Sequence, residues 1–261
     1  MNLAILQSRM SSSRLPGKVL APILGQPMIL RQVERLRRAR RLDRLVVATS
    51  TDPSDDILAE VCRAADIECE RGSLDDVLDR FWQVARKYLP ANVVRLTADC
   101  PLIDAELVDE VVAFHIDHGF DYTSNVLDPT FPDGLSAEVV RSECLERASR
   151  EARLPSEREH VTPYFYKHRD LFRVGSYRGE PDLSALRWTV DHPEDLQFVR
   201  SVYAALYPSN PAFGTQDVLA LLDREPALRS INARFERYEG YKKSLAEDRA
   251  VLSGAGRPDC R

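Results

Sequence analysis

Long apolar runs are missing from this chain. Nowhere in its 261 residues is there a stretch approaching the ~18 apolar residues needed to span a bilayer, so no membrane partner is expected. The opening Met1-Asn2-Leu3-Ala4-Ile5-Leu6 has no basic segment ahead of its short apolar run, and it reads as a first strand and not as a signal peptide. Positive charge is not in excess either: 36 Lys and Arg against 41 Asp and Glu leave a formal charge of −5. That excludes general nucleic-acid binding as the main task, while leaving enough cations for a local anion pocket. Cysteine is sparse and odd in number. Cys62, Cys69, Cys100, Cys144 and Cys260 contain no C-x-x-C pair, which points to a cytoplasmic protein with small reduced thiols. Cys62 and Cys69 lack the second pair that a zinc set needs. Neither G-x-x-x-x-G-K-[ST] nor G-x-G-x-x-G occurs, so the P-loop and the dinucleotide fingerprint are both excluded. No Ser/His/Asp or Cys/His nucleophile arrangement stands out, and there is no internal repeat and no low-complexity segment.

What is present is an alternation of strands and helices. Residues 3–6 and 45–48 are short apolar runs that read as buried strands, and 67–70 and 93–96 read as further strands. Between them, 27–36, 57–65 and 75–88 repeat apolar residues with helical period, and 105–115 follows as another helix. This βαβ order predicts an α/β fold with a mostly parallel central sheet and helices on both faces. After about Gly119 the order changes. Segments 121–126 and 134–140 look like strands of another kind, separated by turn residues Asp128-Pro129 and Phe131-Pro132-Asp133-Gly134. Helices at 142–150 and 157–168, a strand at 172–177, a strand at 186–190 and a helix from Pro193 complete the pattern. The expectation is a single domain over 1–250, with about 120–185 as an inserted α/β portion for substrate or dimer contacts and 251–261 as a flexible tail.

Three segments carry candidate chemistry. The first is the loop after the first strand, Gln7-Ser8-Arg9-Met10-Ser11-Ser12-Ser13-Arg14-Leu15-Pro16-Gly17-Lys18. In a parallel sheet this loop lies at the carboxyl edge, where ligands bind. Small residues let backbone N–H groups approach phosphate oxygens, and Arg9, Arg14 and Lys18 can neutralise them; a solvated basic loop is the plainer reading. The second is Thr97-Ala98-Asp99-Cys100-Pro101-Leu102-Ile103-Asp104, where Asp99 ends a buried strand and suits a magnesium ligand, while Asp104 is placed to cap the next helix. The third is Trp188-Thr189-Val190-Asp191-His192-Pro193-Glu194-Asp195. Asp191 serves either as a helix cap or as a second ligand, the latter only if the fold brings it beside Asp99. The Arg-rich stretch 31–44 reads as a solvated helix face, with an acidic partner as the alternative. His160 is either structural or a substrate contact.

In this order the segments resemble the cytidylyltransferase family, most closely its spore coat polysaccharide biosynthesis (SpsF-like) branch and more distantly the CMP-sugar synthetases for 3-deoxy-manno-octulosonate and neuraminate. The loop 6–18 carries the resemblance together with Val47-Ala48-Thr49-Ser50-Thr51-Asp52, Arg71-Gly72-Ser73, Asp76-Val77-Leu78-Asp79-Arg80 and residues 95–103. Arg158-Glu159-His160-Val161-Thr162-Pro163-Tyr164, residues 187–191 and 239–245 complete it, so it spans roughly 3–247. It implies a Rossmann-like nucleotidyltransferase fold of the GT-A-like kind. It further implies transfer of CMP from CTP to a sugar acid or related acceptor, with release of pyrophosphate, for surface polysaccharide. Arg14 and Lys18 match triphosphate-binding positions, with Gln7, Arg9, Ser11, Ser12, Ser13 and Gly17 in the same loop. Asp99 and Asp191 match the carboxylates that hold Mg²⁺, and Thr49, Asp52 and Thr97 fall where related enzymes surround the nucleoside. Arg158 and His160 are the candidate contacts to the second substrate, and related enzymes are often homodimers. Ala98 stands where Gly is common, and Ser8 and Ser11 where Ala and Gly are usual. Two rival classes are a nucleotide-sugar glycosyltransferase, which would show a D-x-D that Asp99-Cys100-Pro101 does not supply, and a non-catalytic nucleotide-binding protein.

Overall fold

The computed structural model describes residues 1–237 and 239–253. Of the expected tail, 251 and 252 close the last helix, while 254–261, with Cys260, lie outside the described residues. The strands are β1 (Asn2–Gln7), β2 (Pro22–Ile23), β3 (Gln26–Pro27), β4 (Arg44–Ser50), β5 (Cys69–Gly72), β6 (Asn92–Thr97), β7 (Tyr122–Ser124), β8 (Glu138–Arg141) and β9 (Val174–Ser176). The helices are α1 (Met28–Leu36), α2 (Asp56–Ala64), α3 (Val77–Tyr88), α4 (Ala105–His118) and α5 (Ser142–Glu151), then α6 (Pro155–His160), α7 (Pro163–Lys167), α8 (Pro193–Leu206), α9 (Thr215–Arg224) and α10 (Glu239–Leu252).

Leu3, Ala4, Ile5 and Leu6 are all buried, because β1 is covered on both faces. Side chains alternate along a strand: Leu3 and Ile5 pack with Val77, Leu78 and Phe81 of α3, whereas Ala4 and Leu6 pack with Ile29 and Val33 of α1 and Val108 of α4. A strand buried twice over must be apolar at every position, which is why these residues read as an uninterrupted run. The seven-stranded sheet has the order β5-β4-β1-β6-β8-β7-β9. β8 alone runs antiparallel to its neighbours; the remaining pairs are parallel. Residues 120–185 supply β7, β8 and β9 to this same sheet. From β1 the chain moves outward to β4 and β5, then crosses to the other side of β1 to form β6. The carboxyl ends of β1 and β6 are therefore neighbours at a switch in strand order, with Gln7 opposite Thr97.

Three expectations are corrected. The Arg-rich stretch 31–44 is not a solvated face throughout: Arg31 and Arg35 are buried and donate to Ile23 O (3.2 Å) and Ile103 O (2.7 Å). The helix foreseen over 157–168 is broken into α6 and α7, because Val161 takes a φ of 69° and Pro163 has no N–H to continue the ladder. The strand foreseen at 186–190 forms no ladder among the described residues, only a single bridge between Asp133 and Arg187. Its amides are taken elsewhere: Trp188 N–H donates to Asp133 O (2.6 Å) and Val190 N–H to Asp99 O (2.8 Å). This run crosses the end of the sheet and delivers Asp191 to Asp99. Ala98 is not among the positive-φ residues, so the backbone before Asp99 has no need of glycine.

Candidate active site

The loop after β1 is folded by its own backbone and by one buried acid. Met10 O accepts from Ser12 N (2.9 Å) and Gly17 N (3.0 Å), and Met10 N donates to Asp55 Oδ1 (2.7 Å). Asp55 is wholly buried and its other oxygen accepts from Ser50 N and Ser50 Oγ, tying the loop to the end of β4. Gly17 closes the loop at φ 72°, a left-handed value that favours glycine. Lys18 follows directly, and its buried side chain reaches both expected carboxylates. Its Nζ lies 3.2 Å from Asp99 Oδ2, 2.8 Å from Asp191 Oδ1 and 2.7 Å from Val190 O. Arg14 reaches the same Asp191 oxygen at 2.8 Å.

Asp191 is free for this because another acid does the capping. His192 is the N-cap of α8, and Asp195 Oδ2 accepts from Asp191 N (3.0 Å) and His192 N (2.9 Å). Arg187 braces the arrangement, donating to both Asp195 oxygens at 2.9 and 3.0 Å and lying 3.4 Å from Asp191 Oδ2. Asp104 is a cap, accepting from Glu106 N at the start of α4 (3.0 Å) and from Thr215 N and Oγ1 at the start of α9. Burial would raise the Asp99 carboxyl, but the Lys18 ammonium, with hydrogen bonds from Thr97, Lys18 and Cys100, brings it down to about 2. Burial likewise works against the Lys18 charge, and Asp99 and Asp191 overcome it, raising its pKa. Both groups are ionised at neutral pH, as an anion-handling site requires.

These residues line one cleft of about 350 Å³. Gln7, Arg9, Ser12, Ser13, Arg14, Lys18, Thr97, Asp99, His160 and Asp191 of the expected set all face it. Ser11, Gly17, Thr49, Asp52 and Arg158 stand outside its lining. Thr49 is fully buried within β4. Asp52 is used by its own turn, accepting from Ser54 N and Ser54 Oγ, and Arg158 is a strut between Asp76 and Ser149 O. Four charged groups were not foreseen. Arg95 and Glu159 line the cleft, Glu138 pairs with Arg95 behind it, and Asp133 is held by Arg187 at 3.2 Å and Arg237 at 3.8 Å. Burial raises the Asp133 carboxyl against the pull of Arg237 and Arg187, and Asp99 and Asp191 push it further up. Arg95 and Glu159 lie inside stretches that carry the family resemblance, which was the signal available for them; Asp133 and Glu138 had none.

Among the described residues no group of three or more His, Cys, Asp and Glu forms a metal cage, and Cys62, Cys69, Cys100 and Cys144 are free thiols. Asp99 and Asp191 both reach the Lys18 ammonium, so two hard carboxylates stand together here. That fits Mg²⁺, which keeps several waters and completes its shell with substrate phosphates. No described helix is long and apolar enough to cross a membrane.

A mostly parallel sheet with helices on both faces, and a cationic loop and two carboxylates at its switch point, defines a nucleotidyltransferase-like fold. The family model described as Cytidylyltransferase matches residues 3–207, and the chain belongs to that family. It is 36% identical over 231 residues to the spore coat polysaccharide biosynthesis protein SpsF of Bacillus subtilis, covering 86% of this chain and 95% of that one. It is 32% identical over 246 residues to the protein MJ1063 of Methanocaldococcus jannaschii, covering 92% and 98%. A cytidylyltransferase structure from Leptospira borgpetersenii superposes with a TM-score of 0.84 at 29% identity, covering 91% of this chain and 99% of that one. A CMP:2-keto-3-deoxy-manno-octonic acid synthetase complexed with CTP shares the fold, with a TM-score of 0.60 at 19% identity over 78% and 98% of the two chains.

Proposed function

We propose that this chain transfers CMP from CTP to a sugar acid or a related acceptor and releases pyrophosphate, making an activated precursor for surface polysaccharide. The observation that carries the reading is the meeting of Lys18, Arg14, Asp99 and Asp191 at the carboxyl edge between β1 and β6. Lys18 and Arg14 neutralise the triphosphate and the departing pyrophosphate, while backbone N–H groups of the loop approach the phosphate oxygens. Asp99 and Asp191 would hold Mg²⁺, which when bound offsets the charge that develops on the α- and β-phosphates. An oxygen of the acceptor attacks the α-phosphorus in line, the bond to the β-phosphate oxygen breaks, and pyrophosphate leaves. Such transfer is positioning and electrostatics, so no protein nucleophile is called for. The spore coat polysaccharide biosynthesis protein, and a 3-deoxy-manno-octulosonate cytidylyltransferase of Geobacter sulfurreducens that is 38% identical over 112 residues, 42% of this chain and 43% of that one, support the donor and the setting. A homodimeric state belongs to the same reading.

The test is a screen of the four nucleoside triphosphates against candidate sugar acids with Mg²⁺, scored by pyrophosphate release. CTP alone should support turnover, and Asp99→Ala should lower the rate by a factor on the order of 10² or more, the scale seen when one electrostatic stabiliser is removed. Exclusive use of UTP or GTP would overturn cytidylyl transfer, and a wild-type rate for Asp99→Ala would remove Asp99 from the chemistry.

A further inference from the structure

The helix α10 lies beyond the 3–207 span of the family model, yet it reaches the cleft wall. It meets α6 and α7 through Tyr241, Ser244 and Asp248, spaced by three and four residues and so on one helical face. Each makes a polar contact. Tyr166 OH donates to Tyr241 OH (2.9 Å). Asp248 accepts from Ser156 N (2.9 Å), Ser156 Oγ (2.6 Å) and Lys167 Nζ (3.3 Å). Ser244 sits between Glu159 and His160, both of which line the cleft. A polar contact face fixes the register of the helix more narrowly than an apolar one, since each donor must find its acceptor.

We propose that Ser244 fixes His160 as the Nε2–H tautomer, so that His160 meets a ligand only as a hydrogen-bond acceptor, receiving a hydroxyl or amino group and not a carboxylate. Ser244 has one hydroxyl proton, and it is given to Glu159 Oε2 at 2.7 Å, a carboxylate that accepts. The 2.9 Å contact between Ser244 Oγ and His160 Nε2 then requires the ring nitrogen to donate, which leaves Nδ1 with its lone pair. Burial, against the pull of Glu159, holds the ring neutral with a pKa pushed down to about 4, so no second proton is available near pH 7. A carboxylate presented to that lone pair would find no proton. A hydroxyl or an N–H would supply one. This selectivity rests on the reading that the cleft holds the substrates, and within that reading it assigns the acceptor's hydroxyl face, and not its acid group, to His160.

The experiment is ¹⁵N NMR of the full chain labelled at histidine, at pH 7 and without substrate, so its outcome is independent of whether CMP transfer is correct. His160→Gln identifies the His160 ring signals by their loss. The expected spectrum shows a single tautomer at His160, with Nε2 protonated and Nδ1 bare. Ser244→Ala should collapse the two nitrogen shifts toward a fast-exchange average, and Ser244→Thr, which keeps the hydroxyl, should restore the separation. Unchanged signals from the other four histidines establish that the variants are folded. A wild-type spectrum showing Nδ1–H or an imidazolium overturns the proposal, whatever the variants do. So does a Ser244→Ala spectrum that matches wild type.

Discussion

Asp195 is wholly buried at the start of α8, and its two oxygens accept from Arg187 twice, from Asn232 Nδ2 (2.8 Å) and from the amides of Asp191 and His192. Burial would raise its pKa; the Arg187 pair and the two amides bring it below the usual value instead. Asp195→Ala would strand the Arg187 guanidinium, itself buried, and leave two amides without their acceptor. The expected loss is about 3–5 kcal/mol, the usual cost of breaking a buried pair from one side, read as a lower urea midpoint; Asp195→Asn keeps part of the hydrogen bonding and should lose less. A loss within about 0.5 kcal/mol, the range of an ordinary surface substitution, would mean that Arg187 finds full compensation from Asp133 and Asp191. The residue types around Asp191 were visible in sequence, but their division of labour was not. Asp191-His192-Pro193-Glu194-Asp195 offers several acids to one helix start, and only the fold shows Asp195 taking the amides while Asp191 turns to Lys18.

Gly134 shows the same limit one level up. The turn Phe131-Pro132-Asp133-Gly134 was legible from its residues; the reason for the glycine was not. Its φ is 107°, and a Cβ there would lie 2.4 Å from Thr189 N and 2.5 Å from Trp188 C, because the run that delivers Asp191 passes flush against it. Gly25 also has a positive φ, 76°, but nothing lies within 4 Å of where a methyl group would stand. Gly134→Ala should therefore destabilise by roughly 3 kcal/mol or more through strain and overpacking, and Gly25→Ala by only about 1 kcal/mol through strain alone. Equal shifts in melting temperature for the two variants would show that the 186–190 run yields easily. Elements held by local rules were readable throughout: β1, β4, β6 and the helices between them follow from apolar period and short connections. Those held by distant partners were not. The segment 186–190 has the composition of a strand, but the amides of Trp188 and Val190 are claimed by the carbonyls of Asp133 and Asp99, far earlier in the chain. Asp133, Arg95 and Glu138 joined the site for the same reason, through contacts that no periodicity encodes.

At the scale of the whole molecule, the buried His115 and the half-buried His160 set how stability responds to pH. His115 on α4 is buried, with Nδ1 3.0 Å from Thr123 Oγ1 of β7. Burial first, then the charge of Arg141, lowers its pKa to about 4, and His160 on α6 is lowered to a similar value. In the unfolded chain both return to about 6.5. Between those values the unfolded state binds protons that the folded state refuses, so stability rises with pH in this window and falls on acidification. The depressed carboxylates Asp99, Asp195 and Asp248 act in a lower window: their contribution is present above the unfolded value near about 3.9 and is lost as pH falls through their folded values. The two effects can therefore be separated. From pH 7 to pH 5, each histidine should withdraw roughly 2 kcal/mol of stability, with the depressed carboxylates Asp99, Asp195 and Asp248 still ionised. Urea unfolding at constant ionic strength should show the midpoint falling over this range at constant slope, and His115→Gln should flatten about half of the dependence. A midpoint that holds steady down to pH 5 would mean the folded protein accepts these protons, and that α4 and α6 admit water to their histidines.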